Sequence, residues 1–334
     1  MRQYKKVGLY LLFIIFIFIF SYLPLPYYIY SPGTADPLTP VVHVESGTES
    51  EGNLYLVTVR GGQATPLSLL IASLSRYQDI HPLEEVFPEG YDREDYMEAQ
   101  LQLMESSQEA ATVVAYQEAN EEIDIQYEGV YVVSVLEGMP AEKVLQAADK
   151  IIEVENTKVK DADHLIEIVD KYQVGDELTF VVDRDGEQIE TTIELVPFPN
   201  QPDQHGIGIQ LVTNRKVNVD RSVEFSSGDI GGPSAGLILT LEIYDQLIDD
   251  DLTKGLDIAG TGEIDYEGNV YRIGGVDKKV IAADREGCDI FFVPFEHGSE
   301  DSNYQVAKET AEAIGSDMEI VPVDSFQDAL EYLQ

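Results

Sequence analysis

The sequence predicts an α+β protein with two folded parts behind one apolar N-terminal segment. Three observations carry this reading. Val7 to Leu25 (VGLYLLFIIFIFIFSYLPL) is apolar apart from one serine and two tyrosines, and all its charged neighbours lie before it. Glu128 to Pro197 forms a compact, strand-rich block with its own turn punctuation. Beyond Asn200, strand and helix patterns alternate, as in a layered fold.

The 334 residues suffice for roughly two domains of about 100 to 200 residues each. With 21 Lys+Arg against 62 Asp+Glu, the net charge is -41. That charge excludes nucleic acid and anionic lipid headgroups as partners, because phosphate contacts need a positive face. The single cysteine, Cys288, allows no disulfide within the chain and no cysteine cluster for a metal. The five histidines, at 43, 81, 164, 205 and 297, stand alone without HExxH or HxH spacing. No metal or other cofactor is implied, so chemistry falls to Ser, Lys, His or carboxylates, or to a bound ligand.

Residues 1–30 read as a cytoplasmic tip and membrane anchor. Arg2, Lys5 and Lys6 are the only charges before Tyr30, and basic residues ahead of an apolar run hold the N-terminus in the cytoplasm. The run approaches the ~20 residues that span a bilayer as a helix, and it exceeds the ~7 to 15 of a cleaved signal core. It leads into Pro24, Pro26, Tyr27, Tyr28 and Tyr30, which resemble an interfacial aromatic belt. The expected location is the cell membrane, single-pass, with the remainder outside the cell. An exterior this acidic suits a saline setting or serves solubility.

Residues 31–40, rich in Pro, Gly and Thr, read as a short stalk. Residues 41–124 open the larger folded part, with strands at Val41 to Val44 and Leu54 to Val59 and a long helix over Met97 to Glu122, where Pro and Gly are absent. Residues 125–198 read as strand, short helix, strand, a helix from Asp161 to Tyr172, and a hairpin turning at Asp185-Gly186. Residues 199–334 hold the chemistry. No GxxxxGK[ST] occurs, so no ATP-driven step is expected.

Two segments point to a site. In SSGDIGGPSAGLILTLEIYDQLI, from Ser226 to Ile248, glycines at 228, 231, 232 and 236 surround Pro233, and Ser234 opens an apolar helix. Backbone amides and a positive helix end beside such a serine suit an oxyanion; a simple helix cap fits the same text. From Gly260 to Pro294, Val276, Lys279, Val280 and Ala283 share one helical face. A lysine in that stripe either loses its charge through burial and becomes a base or snorkels to the surface. Lys278 falls in another helical phase, toward Arg285, and reads as solvent-facing.

Gly129-Val130-Tyr131-Val132, GMPAEK (Gly138 to Lys143) and AADKIIEVEN (Ala147 to Asn156) resemble a bacterial-type PDZ domain, with Ala148 where the family usually has glycine. The resemblance implies an open strand edge that accepts an extended peptide, the Gly129 to Val132 loop holding backbone or a terminal carboxylate; a mere spacer is the alternative. GPSAG (Gly232 to Gly236), TGEI (Thr261 to Ile264) and GGVDKK followed by Ala282-Ala283 resemble the Ser-Lys proteolytic domain of the Lon family. MESSQEAATVVA (Met104 to Ala115) and GNLYLVTVRGG (Gly52 to Gly62) are similar to earlier parts of that domain, which places the PDZ block as an insertion.

This resemblance implies Ser234 as nucleophile, Lys279 as general base and Thr261 as a hydrogen-bonding support, with Gly232 and Pro233 shaping the turn. The family's Asp before the turn is here Gly231, with Asp229 two residues earlier as a supporting candidate. Anchor, PDZ insertion and Lon-like domain without an ATPase together resemble the surface PDZ-containing Lon-like proteases of Gram-positive bacteria. The implied function is an extracellular serine endopeptidase acting on exposed peptide segments or secreted peptides, assembled as a homo-oligomer if it follows the family's rings. The alternatives are a non-catalytic PDZ scaffold and a peptide-binding chaperone or inhibitor.

Overall fold

The computed structural model describes residue 10 and residues 20–87, 93–184, 186–199, 201–228 and 230–334. Most of the expected membrane segment lies outside the described residues, as does Asp229. Among the described residues no helix is long and apolar enough to cross a membrane. The chain divides into two compact units: Met1–Glu122 with Asp220–Gln334, and Ile123–Val219 between them in sequence.

The larger unit begins with β1 (Tyr27–Pro37) and β2 (Asn53–Gln63), then α1 (Pro66–Leu74), β3 (Asp79–Pro82) and the long α2 (Arg93–Glu118). The smaller unit contributes β4 (Ile123–Val135), β5 (Lys150–Val154), α3 (Ala162–Val169), β6 (Glu177–Arg184), β7 (Glu187–Glu194) and β8 (Ile209–Val219). The chain then returns to the larger unit with α4 (Gly236–Leu247), β9 (Asp257–Gly260), α5 (Val276–Glu286), β10 (Ile290–Pro294), α6 (Asn303–Ile314), β11 (Glu319–Val323) and α7 (Phe326–Leu333).

In the larger unit one sheet runs β11-β10-β9-β2-β1-β3. β9 pairs in parallel with both β2 and β10, and β1 pairs antiparallel with β2 and β3. Every residue of β10, IFFVP, is buried, the near-continuous apolar text of a parallel strand covered on both faces. Val276, Val280 and Ala283 of α5 pack with Tyr55, Val57, Ala259, Phe291 and Ala307 in one core cluster. α4 is buried almost all round, its polar Thr240, Glu242, Asp245 and Gln246 included, and α2 packs against it.

Residues 31–40 are not a stalk. β1 carries residues 31–37 into the sheet, where Ala35 is buried, and Leu38 just beyond it is fully buried. Pro and Gly give the segment loop-like text, but they sit where the β1–β2 register shifts between Pro32 and Ala35, a bulge that tolerates a residue without an N–H. Tyr28 and Tyr30 likewise belong to the sheet, stacked edge-on against Phe87 and His81, so of that triplet only Tyr27 keeps an exposed ring.

The smaller unit is a sheet in the order β8-β4-β5-β6-β7 over a core that includes Val130, Val132, Ile151, Leu165, Leu178 and Phe180. It reaches Val219, past residue 198, because β8 pairs with β4 along its whole length, from Ile209↔Val135 to Val219↔Ile123. Ala148 adopts a left-handed backbone, φ 70°, at the position where the sequence pattern would favour glycine. Asp149 behind it is fully buried and takes a bidentate pair from Arg184, 2.6 Å to each oxygen.

Candidate active site

Ser234 lies in a 3-10 turn, Pro233–Ala235, that runs directly into α4. Two glycines permit this turn. Gly232 sits at φ 92°, a region costly for residues with a Cβ. A Cβ at Gly236 would lie 2.7 Å from Ile264 Cγ2 and 2.8 Å from Ser107 Oγ, so the helix start approaches its neighbours as only glycine allows. The backbone around the serine is fixed from three sides. Its carbonyl accepts from Gly262 N at 2.9 Å and from Thr261 Oγ1 at 2.9 Å. The Pro233 carbonyl accepts from Ser107 Oγ of α2 at 3.0 Å, and Gly232 N donates to Gln100 O, also of α2, at 2.7 Å.

Lys279 reaches this turn from the first half of α5. Its Nζ donates to Ser234 Oγ at 2.6 Å and to Thr261 Oγ1 at 2.8 Å. Ser234 is half-buried, whereas Thr261 is fully buried and Lys279 is 4% exposed. The simple-cap reading of Ser234 fails: the N-cap position of α4 is Ala235, without a side-chain cap bond, and the serine hydroxyl is engaged by the lysine instead. Burial pushes the Lys279 amine down to about 7, since the charged form cannot be solvated there.

Lys278 corrects the phase argument. It is not solvent-facing; it is 1% exposed, and its Nζ donates to Asp79 Oδ2 on β3 and to Asp277 Oδ2 at 2.9 Å. Burial works to lower its pKa, but the hydrogen bonds and charges of Asp79 and Asp277 outweigh it, and the net shift is upward. Two adjacent lysines are thus both withdrawn from water, and the presence or absence of a carboxylate separates them. The amide of Gly232 is also unavailable to an oxyanion, because Gln100 O already takes it. Pro233 has no N–H, which leaves the Ser234 amide itself as the donor nearest the nucleophile. Gln100 and Ser107 shape the site without any signal in the sequence pattern; the MESSQEAATVVA helix is visible there, but its hydrogen bonds to a turn 126 residues away are not.

In the smaller unit, Gly129, Val130, Tyr131 and Val132 do not form an open edge. They lie in β4, where all four pair with β8 on one side and Val130 and Tyr131 pair with β5 on the other. The end strands of that sheet are β8, beside β4, and β7. β8 follows Gly206-Ile207-Gly208, with Gly208 at φ 86°, and α3 is tied to it by Ala162 N donating to Thr213 Oγ1 at 3.0 Å.

A serine at a glycine-built helix start, bonded to a buried lysine whose pKa is pushed down to about 7, places the larger unit with the serine hydrolases. Comparison with known proteins narrows this. Residues 207–334 match the family model of the Lon protease C-terminal proteolytic domain, and residues 102–195 match that of the PDZ domain. The chain therefore carries a Lon-type serine protease domain together with a PDZ domain. It is 37% identical over 101 residues to the Lon protease of Campylobacter jejuni, covering 30% of this chain and 12% of that one. It is 34% identical over 97 residues to that of Aster yellows witches'-broom phytoplasma, covering 29% and 11%. The chain thus spans only about a tenth of the length of these relatives. Among solved structures, the PDZ domain of the SdrC-like protein from Listeria monocytogenes is 31% identical with a TM-score of 0.25, covering 27% of this chain and 93% of that one.

Proposed function

We propose that the chain is a membrane-anchored, ATP-independent serine endopeptidase facing the cell exterior, with Ser234 as nucleophile, Lys279 as general base and the PDZ unit selecting the substrate. The observation that carries the chemistry is the 2.6 Å contact between Lys279 Nζ and Ser234 Oγ in a setting where burial favours the neutral amine.

With the amine neutral, the same contact carries the hydroxyl proton from Ser234 to Lys279 as Oγ attacks the scissile carbonyl. The C–O bond forms, and the carbonyl oxygen takes the negative charge beside the Ser234 amide at the positive end of α4. Collapse breaks the C–N bond, and the Lys279 ammonium returns its proton to the leaving amine. Water, deprotonated by the again neutral lysine, then releases the acyl group. Thr261 holds the amine in line through its 2.8 Å bond and fixes the serine backbone through its own donation to the Ser234 carbonyl.

In the PDZ unit, an extended peptide would add to the free side of β8 beside α3, with the Gly206 to Gly208 turn receiving its end. Outward orientation follows from Arg2, Lys5 and Lys6 ahead of Val7 to Leu25. Ser234→Ala should leave folding unchanged and reduce hydrolysis of an unstructured peptide by orders of magnitude. Retained turnover in that variant would end the Ser-Lys reading.

A further inference from the structure

α1 has the sequence PLSLLIASL, with no charged residue, and it presents its more apolar side outward. Leu67 is 41% exposed, Leu70 53%, Ile71 54% and Leu74 83%. These four stand at i, i+3, i+4 and i+7, one continuous stripe. The inward side is formed by Leu69 and Ala72, which pack with Ile29, Ala64, Ile80 and Leu25. The helix is capped at Thr65 by a reciprocal pair with Ser68, so the stripe belongs to a formed helix and not to a loop.

The place of this stripe decides what covers it. Leu25 is the last residue of the apolar run Val7 to Leu25. Its N donates to Ala64 O at 2.8 Å, and its carbonyl accepts from Gln63 Nε2 at 3.1 Å. The point where the chain would leave a bilayer is therefore bonded to the residue just before the cap of α1. Tyr22 and Leu23, immediately before it, are 70% and 49% exposed, and Tyr27 just after it is 39% exposed. On a chain of net charge -41, this uncharged helix lies where an anchor would hold it at the level of the membrane surface.

We infer that α1 inserts its Leu67, Leu70, Ile71 and Leu74 stripe into the outer leaflet beside the anchor, as an interfacial helix whose partner is lipid acyl chain. The strongly acidic exterior gives anionic headgroups no attraction, so binding rests on apolar burial. Two attachments, the anchor and α1, would restrict how the larger unit turns over the membrane. This inference rests on the proposed anchoring of residues 1–30.

The test uses the full chain reconstituted in phosphatidylcholine vesicles, with Leu70→Cys carrying an environment-sensitive fluorophore. Ala313→Cys, on the exposed side of α6, is the control. The native Cys288 is buried, and burial pushes its thiol up to about 12, so it stays unlabelled. The expected result is a blue-shifted label at position 70, quenched several-fold more than the label at 313 by lipids bearing a nitroxide on the acyl chain. Equal quenching at the two positions, in protein that floats with the vesicles, overturns the inference and leaves the anchor standing. Protein that does not float with the vesicles overturns both. Cross-linking of unlabelled Leu70→Cys to a second copy, with the label at position 70 insensitive to the lipid quencher, assigns the stripe to a subunit contact and likewise overturns the inference.

Discussion

At Lys279 burial is the one large influence on the amine, holding it at about 7, well below the ordinary lysine value of about 10.4. Peptide hydrolysis should therefore rise with pH through an apparent pKa of about 7, read from the pH profile of kcat/KM. The same group sets a stability slope. Between the folded value and the unfolded one the unfolded chain binds more protons, so stability rises with pH from about 7 to about 10: the penalty for the buried ammonium is full below about 7 and gone above about 10. Replacing it by Met should remove that slope, as urea melts at several pH values will show. Lys278 is different: Lys278→Met should keep turnover within a few-fold. It should cost about 1–2 kcal/mol of stability, because the carboxylates it leaves are partly solvated. Helical phase makes Lys279 legible in the sequence through its stripe with Val276, Val280 and Ala283. It misplaces Lys278, because the partner that draws that side chain inward is 199 residues away on a strand the pattern does not resolve.

The serine helix depends on close approach. Gly236→Ala would set a methyl against Ile264 and Ser107, costing about 1–3 kcal/mol if the neighbours yield. A shift of about 1 Å in the serine turn should lower turnover by roughly a hundredfold, a far larger effect on rate than on melting temperature. In the smaller unit, Ala148→Gly should stabilise by about 1 kcal/mol, since it relieves a left-handed alanine; differential scanning calorimetry checks this. These positions show what local text can carry. The glycine turn, the hairpin and the long helix announce themselves by composition and spacing. β1 does not, because Pro32 and Gly33 look like loop residues until a bulge accommodates them. The opening strand of the PDZ unit is visible as β4, but which edge stays open depends on β8, a pairing made across about 80 residues.

For the whole molecule, the two units are separable by the way the chain is threaded. Ile123 and Val219 are ladder partners, so the smaller unit leaves and returns through adjacent strand ends. At the junction Arg221 pairs with Glu121 at 3.1 Å, and Tyr116 OH donates to the Arg221 carbonyl. Replacing residues 124–218 by a short turn should leave the larger unit folded and able to cleave an unstructured peptide. Cleavage of the physiological substrate should be lost, and its survival would deny the PDZ unit a selecting role. The central claim, that Lys279 activates Ser234, is tested most directly by intact-mass analysis after treatment with a serine-reactive phosphonylating probe. The prediction is a single adduct on Ser234 in the native chain and none in Lys279→Met that is still folded by circular dichroism. An adduct formed equally in both, or one located on another serine, would contradict it.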